Sequence, residues 1–191
     1  MKQGDFMKRV IVITGTPTSG KTTISEKLSG MIKGSELIRA NDLVKEKKLF
    51  TGYSETGEML ADMKRLRSEI EDRIKASKAD MIIVEGHLLC DMKIRGATAI
   101  VIREHLKTLL KRMERRKYSR KKIENNIVTE AIDYCGVNAI ENYDSVYEVL
   151  GGEDAAEEII MIINGKSAGP KEIDMLGELN GLAQYLGKAT L

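Results

Sequence analysis

The chain has 191 residues, of which 4% are aromatic, so it can form one domain whose core consists of aliphatic residues and methionine. The formal net charge is +2. The two cysteines have neither metal-ligand nor disulfide spacing, which argues against a disulfide-rich secreted protein. No apolar run is long enough to span a bilayer and no signal peptide precedes the first strand, so we expect a cytoplasmic protein without membrane contact.

The first predicted elements are a strand, a glycine-rich loop and a helix. Residues 10–13 form a short apolar run typical of a buried parallel strand, and a helical pattern starts at Thr22. Backbone N–H groups of such a loop bind phosphate oxygens, Lys21 adds a mobile positive charge and the Thr22 hydroxyl can ligate Mg²⁺. The loop fits the P-loop pattern G-x-x-x-x-G-K-[ST], and its predicted ATP-binding residues are Gly15, Thr16, Pro17, Thr18, Ser19, Gly20, Lys21, Thr22 and Thr23.

Alternating strands and helices follow, which is the pattern of a parallel sheet covered on both faces. Further strands are predicted at residues 36–40, 81–84, 99–102 and 146–150. A short helix is predicted to start near Asn41 or Asp42, a turn to occupy 51–54, and longer helices to span 57–76, 106–116, 119–138 and 155–163. We therefore predict an α/β fold of the P-loop NTPase class, a three-layer sandwich around a five-stranded parallel sheet.

Chargeable residues follow the predicted third and fourth strands, where open parallel sheets bind ligands. The sequence MIIVEGH resembles a Walker B strand, so we expect Glu85 to hold Mg²⁺ directly or through water. His87 lies two residues further on and is either a packing residue or a group that orients or accepts a proton. Arg103 is a candidate for neutralising phosphate charge, as is Lys21.

A basic block extends from Arg103 to Lys122 and contains ten Lys or Arg residues but only two acids. Such a block can be a solvated helix face, an RNA-contacting patch or a phosphate-gripping lid, and the P-loop favours the lid. Arg112 and Arg116 are four residues apart and share a helix face, from which they can grip phosphate or stack on an adenine ring. The alternative is a solvated surface paired with Glu114.

Four separated motifs give the chain a family resemblance. In chain order they are ITGTPTSGKTT, ANDLVKEKKLFTGY, VEGH and RMERRKYSRKKIENNI. With these motifs, which lie between about residues 10 and 163, the chain resembles the adenylate kinase isoenzyme 6 family, also called the coilin-interacting nuclear ATPase family. The resemblance to its archaeal members is the strongest.

The resemblance implies a nucleoside monophosphate kinase domain at 1–165, with an acceptor region at about 41–76 and a lid at about 112–122. Family members phosphorylate AMP with ATP and Mg²⁺, can hydrolyse ATP, and act in small ribosomal subunit maturation with a ribosomal protein and rRNA as partners. By motif position, the residues implied to bind the acceptor are Asn41, Asp42, Lys45, Gly52, Tyr53 and His87. Glu85 and His87 fall on the family's acid-x-His element, and Arg112 and Arg116 on its lid arginines, with Arg116 also catalytic.

Three positions depart from the family pattern. Thr18 and Lys117 stand where many members have glycine, and at Lys117 this puts in doubt a hinge that relies on positive φ. Glu85 replaces an acid that is Asp in some members, so its contact with Mg²⁺ can change between direct and water-mediated.

Residues 166–191 lie beyond the resemblance and are predicted to form a helical extension. Ile173, Leu176, Leu179, Ala183 and Leu186 form a helical stripe that several glycines weaken. The extension therefore needs a surface to pack against, either on its own domain or on a partner. The sequence is compatible with a monomer or a small homo-oligomer.

Three functions fit these observations. The first is an AMP kinase that uses Mg-ATP, and the second is an ATPase that drives ribosome assembly and has secondary kinase activity. The third is a kinase of another small acceptor, such as dephospho-coenzyme A. A GTPase switch is disfavoured because the chain contains no N-K-x-D motif.

Overall fold

The first strand shows how this sequence builds a two-sided sheet. In the computed structural model, which describes residues 8–54, 59–166 and 173–182, strand β1 spans Arg9–Thr14. Val10 and Val12 belong to the hydrophobic cluster on one face, and Ile11 and Ile13 belong to the cluster on the other face. Because successive side chains point to opposite faces, a continuous apolar run is what a strand with two covered faces requires.

The main sheet has five strands and is parallel throughout. Numbered in chain order, the other four strands are β2 (Glu36–Arg39), β5 (Met81–Glu85), β6 (Ala97–Arg103) and β7 (Val146–Leu150). Their spatial order is β2-β5-β1-β6-β7, which places β1 in the centre. The predicted α/β P-loop fold with a five-stranded parallel sheet is confirmed.

Helices cover both faces of this sheet and complete three layers. The face of Ile11 packs against α1 (Lys21–Met31) and α7 (Ala155–Ile163). The other face packs against α2 (Ala40–Glu46), α3 (Met63–Ala76), a 3-10 turn (His87–Asp91) and α6 (Tyr134–Asn142). Beyond the sheet edge, α4 (Leu106–Arg115) and α5 (Arg120–Ala131) form a third cluster. Within the described parts of the chain, none of the helices combines the length and apolarity needed to traverse a membrane.

The acceptor region differs from its prediction. The expected turn at 51–54 is largely strand β3 (Phe50–Tyr53), which pairs antiparallel with β4 (Met59–Ala61). The helix predicted from Gly57 starts at Met63, because the Asp62 carboxylate caps it by accepting the Arg65 N–H at 3.1 Å. Met59 and Leu60 fit helical spacing but belong to the hairpin, and Gly57 lies outside the described residues.

The predicted helix 119–138 is two helices. The helix is interrupted at Asp133, which adopts a left-handed φ of 52°. Its carboxylate accepts the N–H of Gly136 at 3.0 Å and so caps α6. A side chain at Gly136 would collide with that carboxylate, since a Cβ there would lie 2.3 Å from the Asp133 Oδ2. Several other boundaries shift by one or two residues; for example, Ala40 opens α2 instead of ending β2, and Arg116 follows α4.

The C-terminal segment packs on its own domain over residues 173–182. Met175 and Leu182 are buried in the cluster of α4 and α5, and Glu178 caps α4 by accepting the Leu106 N–H at 2.9 Å. The same carboxylate lies 2.5 Å from the Nδ1 of His105. Only a single helical turn, α8 (Leu176–Leu179), and a 3-10 turn (Asn180–Leu182) occur here. Of the predicted stripe, Leu176 is exposed, and Ala183 and Leu186 lie outside the described residues.

Candidate active site

The P-loop connects β1 to α1 at the carboxyl edge of the sheet. Gly15 has a φ of 135°, and a Cβ there would lie 2.4 Å from the carbonyl oxygen of Ile102 on β6. Gly20 has a φ of 104° at the N-cap of α1. Both positions therefore require glycine, for positive φ and, at Gly15, for close approach to the neighbouring strand. The loop is held tightly around the N-terminus of α1, where anions bind favourably.

Two hydroxyl groups in this loop have no partner in the described part of the protein. They are Thr18 Oγ1 and Ser19 Oγ, and both atoms are buried. Buried polar atoms are normally hydrogen-bonded, so two adjacent hydroxyls without a partner indicate a place where a polar ligand binds. Thr18 also has a left-handed φ of 70°, which is unusual for a β-branched residue. The orphaned hydroxyls and the glycine geometry fit the phosphates of a nucleotide.

Lys21 is the first residue of α1 and is only 6% exposed. Its Nζ donates a hydrogen bond to the carbonyl oxygen of Thr16 at 2.8 Å, which bends the side chain back over the loop. Burial lowers the pKa of Lys21, and the nearby Glu85 carboxylate opposes that shift. Lys21 is therefore a desolvated cation inside the loop, where a phosphate would restore its charge balance.

Glu85 ends β5, which lies between β1 and β2 in the sheet. The side chain is buried, and burial raises the pKa of Glu85, while Lys21 and the Thr22 hydroxyl oppose the shift. Glu85 and Thr22 therefore share one small region beside the P-loop. Among the described residues, no group of three or more His, Cys, Asp or Glu side chains is arranged to hold a metal ion. A hydroxyl and one carboxylate fit Mg²⁺, which takes its other ligands from phosphate and water.

His87 opens the 3-10 turn that follows β5 and is half-buried. Its carbonyl oxygen accepts hydrogen bonds from the Thr14 hydroxyl and the Cys90 thiol, both at 3.3 Å. Because Thr14 is the last residue of β1, these contacts place the His87 backbone beside the start of the P-loop. The preceding Gly86 packs closely, since a Cβ there would lie 2.8 Å from the Ala40 Cβ.

Arg103 ends β6 and is 1% exposed inside a cluster of carboxylates. Its guanidinium lies 2.9 Å from Glu130, 2.6 Å from Asp133 and 3.1 Å from Glu148. Burial alone would lower the pKa of Arg103, but these acids raise it overall. Burial and the neighbouring Asp133 raise the pKa of Glu148 to about 7. The catalytic role predicted for Arg103 stays a prediction, and these contacts favour a structural role because its charge is already compensated.

The two lid arginines have different surroundings. Arg112 lies on α4, and its Nη1 donates to the Thr18 carbonyl oxygen at 3.0 Å and lies 2.8 Å from the Glu104 carboxylate. Arg116 is exposed at the end of the same helix. Lys117 follows with a φ of 56°, so the left-handed turn is retained without glycine. The structure therefore brings Arg112 to the P-loop and leaves Arg116 on the surface.

The predicted acceptor residues are mostly on the surface. Asn41, Asp42 and Lys45 are exposed on α2, which begins directly after β2. Asp42 is close enough to raise the pKa of Glu85, so the start of this helix lies beside the strand edge. Gly52 and Tyr53 lie on the β3–β4 hairpin, where Tyr53 is 63% exposed and its ring centroid is 5.6 Å from that of Phe50.

Two buried acids were missed by the sequence analysis. Glu130 on α5 accepts hydrogen bonds from the Thr16 hydroxyl in the P-loop, from the Arg103 Nε and from the backbone N–H of Glu104. Glu104 pairs with Arg112. Two sequence features could have drawn attention to them: Glu104 is an acid inside the basic block, and Glu130 lies on the apolar face of a predicted helix. Neither feature identifies the distant residue with which the acid pairs.

The chain is similar to known proteins over most of its length. A family model described as an AAA domain matches residues 11–133. A protein named "Putative adenylate kinase" from Methanosarcina acetivorans is 32% identical over 175 residues, covering 85% of this chain and 90% of its own. A protein of the same name from Pyrococcus furiosus is 31% identical over 159 residues, covering 81% and 84%.

The chain belongs to this archaeal adenylate kinase-like family. The resemblance to the adenylate kinase isoenzyme 6 family is thereby confirmed, and the family is one of P-loop nucleotide kinases. Solved structures support the fold alone. A shikimate kinase from Acinetobacter baumannii has a TM-score of 0.58 at 15% identity, covering 85% of this chain and 96% of its own. A tunicamycin resistance protein from Deinococcus radiodurans has a TM-score of 0.56 at 18% identity, covering 86% and 99%.

Proposed function

We propose that this protein transfers the γ-phosphoryl group of ATP to AMP and forms two ADP. The P-loop carries the proposal. It contains two buried hydroxyls without a partner among the described residues, and its buried Lys21, whose pKa burial lowers, faces Glu85 at the strand edge. The family's acceptor motif lies next to this edge. Phosphoryl transfer is catalysed chiefly by positioning and by neutralising charge on the phosphate oxygens. A desolvated lysine and oriented loop N–H groups supply both.

Thr22 and Glu85 are the residues that would hold Mg²⁺. Mg²⁺ held there would neutralise part of the charge on the phosphate oxygens. The residues of the chain do the remaining work. Lys21 is proposed to bind the phosphates, Arg112 lies at the loop rim to contact ATP, and Arg116, exposed at the end of α4, is the second arginine proposed to contact ATP. Asn41, Asp42, Lys45, Gly52 and Tyr53 are proposed to hold AMP. The first three support this role because α2 begins directly after β2.

His87 is proposed to orient or accept a proton at the point where donor and acceptor meet. Its backbone is tied to Thr14 beside the P-loop. In the variant His87→Ala, turnover should fall by about tenfold to a thousandfold, with a smaller loss of ATP affinity. Steady-state turnover should be measured beside direct nucleotide binding. Preserved turnover with weakened AMP binding would make His87 an acceptor contact and remove its catalytic role.

A second candidate is an ATPase that acts in small ribosomal subunit maturation. The observation that favours it is the exposed basic surface of α4 and α5, which includes Lys107, Lys111, Arg115, Arg116, Lys117, Arg120 and Lys121. Such a surface suits an RNA backbone or an acidic protein. The exposed position of Arg116 is compatible with either role.

An acceptor panel separates these functions. The purified protein is incubated with Mg-ATP alone and with AMP, other nucleoside monophosphates, shikimate or dephospho-coenzyme A, and products are separated by chromatography. ADP formation that depends on AMP supports the proposal. Phosphate release at the same rate with and without every acceptor would select the ATPase, and phosphorylation of another compound would reassign the acceptor.

A further inference from the structure

Glu104 is a buried carboxylate at the carboxyl edge of the sheet. It follows β6 directly and is only 4% exposed. Its Oε2 lies 2.8 Å from the Nη1 of Arg112, and its Oε1 accepts the backbone N–H of His105 at 3.1 Å. Its own N–H donates to Glu130 at 3.0 Å. Both carboxylate oxygens therefore have partners, and the side chain is held in one orientation.

The nitrogen that Glu104 holds also touches the P-loop. Arg112 Nη1 donates to the carbonyl oxygen of Thr18 at 3.0 Å, and it lies 3.7 Å from the position that a Cβ at Gly20 would occupy. One guanidinium nitrogen thus bridges the Glu104 carboxylate and the loop backbone. The Arg112 side chain is 39% exposed, so part of it remains accessible at the loop rim.

Packing from a third element keeps Glu104 in place. A Cβ at Gly151 would lie 2.8 Å from the Glu104 Oε2 and 3.0 Å from the Ser19 carbonyl oxygen. The connection after β7 therefore covers both the carboxylate and the P-loop, and it can do so because residue 151 has no side chain. A buried carboxylate requires a paired cation, and Arg112 is the cation within reach.

We propose that Glu104 is a positioning residue that holds Arg112 at the P-loop rim and thereby raises the affinity for ATP. The inference rests on the proposed function, since it takes the P-loop to bind ATP. An arginine loses rotamer freedom when it engages a ligand, and a contact that fixes it beforehand reduces that loss. Glu104 acts through Arg112 and does not itself touch the nucleotide.

A double-mutant cycle on nucleotide binding tests the proposal. The affinity of the β,γ-imido analogue of ATP, with Mg²⁺, is measured by calorimetry for the wild type, Glu104→Gln, Arg112→Ala and the double variant. Glu124→Gln is the matched control, because Glu124 forms an exposed pair with Arg120 on α5. Melting temperatures are recorded for all five proteins.

The proposal predicts that Arg112→Ala weakens binding by about tenfold to a hundredfold and Glu104→Gln by about threefold to thirtyfold. In the Arg112→Ala background, Glu104→Gln should change the affinity by less than about twofold, because the group it acts through is gone. Glu124→Gln should leave binding unchanged. In steady state, Glu104→Gln should raise the KM for ATP more than it lowers kcat.

Three results would overturn the proposal. An equal loss of affinity in both backgrounds would mean that Glu104 acts through the loop or through β7, without Arg112. No loss in either background would make the pair merely structural. A wild type that binds no ATP analogue would remove the proposed function itself, whereas binding without AMP phosphorylation would leave this inference intact. If Glu104→Gln does not fold, Glu104→Asp, which keeps the charge but shortens the side chain, enters the same cycle.

Discussion

The donor and acceptor sides of the candidate active site are built in different ways. On the donor side, Lys21, Glu85 and Glu130 are buried, and the P-loop is tied to α5 through the hydrogen bond from Thr16 to Glu130. On the acceptor side, Asn41, Asp42, Lys45 and Tyr53 are exposed on a short helix and a two-stranded hairpin, whereas Gly52 and His87 are half-buried. The proposed donor side is therefore built into the core, whereas most of the proposed acceptor residues lie on the surface.

This difference predicts how substitutions on the two sides should behave. A substitution among the buried donor-side residues alters packing and charge pairing, so ATP-dependent activity and the free energy of unfolding will often change together. A change in the exposed group should alter acceptor binding with little cost to the fold. The following substitutions test that separation.

The largest effect is expected for Lys21→Ala. Removing a group that neutralises charge in the transition state should lower turnover by on the order of a hundredfold to a thousandfold. The fold should survive, because burial already lowers the pKa of Lys21 and its charge is costly there. Initial rates and melting curves should be compared with those of Lys33→Ala. Lys33 is an exposed lysine two residues after the end of α1. Unchanged turnover in folded Lys21→Ala would contradict the P-loop assignment.

Arg103→Ala should reduce stability more than any other substitution considered. It leaves the buried Glu130 and the half-buried Glu148 without their cation, and breaking such a cluster costs about 3–5 kcal/mol. Urea unfolding measures the loss, with Arg120→Ala as the control because its pair with Glu124 is exposed and worth about 1 kcal/mol or less. A stable Arg103→Ala variant with abolished turnover would instead support the catalytic role predicted from the sequence.

Tyr53→Ala tests the acceptor side. Because this ring is exposed on the hairpin, its loss should raise the KM for AMP by about tenfold while ATP affinity and melting temperature stay nearly constant. Tyr134→Ala removes an exposed ring on α6 and is the control. A similar loss of ATP affinity in Tyr53→Ala would mean that the two sides are not separable.

Thr18→Gly should have the smallest effect, and it should raise stability instead of lowering it. Glycine tolerates the φ of 70° at this position and removes a buried hydroxyl that lacks a partner, so stability should rise by about 1 kcal/mol. Thr23→Gly on α1 should lower it by about 0.5–1 kcal/mol. Destabilised Thr18→Gly would mean that the threonine side chain contributes packing that outweighs the strain of its backbone.

The sequence was informative where the site is local. The P-loop lies within nine consecutive residues, and Glu85 follows an apolar run whose end marks a strand tip, so the sequence alone locates both at strand ends. The pairing of Arg103 with Glu130 was not predictable, because it joins a strand to a helix 27 positions later. Met59 and Leu60 fit helical spacing equally well, and only pairing with β3 decides that they form a strand. The break at Asp133 depends on a side-chain cap that leaves no mark in the hydrophobic pattern.

The most direct test of the central claim follows the fate of one phosphoryl group. ATP labelled in its γ-phosphate is incubated with Mg²⁺, unlabelled AMP and the wild-type protein, and the labelled products are separated. The proposed function predicts that the label appears in the β-phosphate of ADP and that Lys21→Ala slows this transfer by on the order of a hundredfold to a thousandfold. Label recovered only as inorganic phosphate, at a rate that AMP does not change, would contradict it.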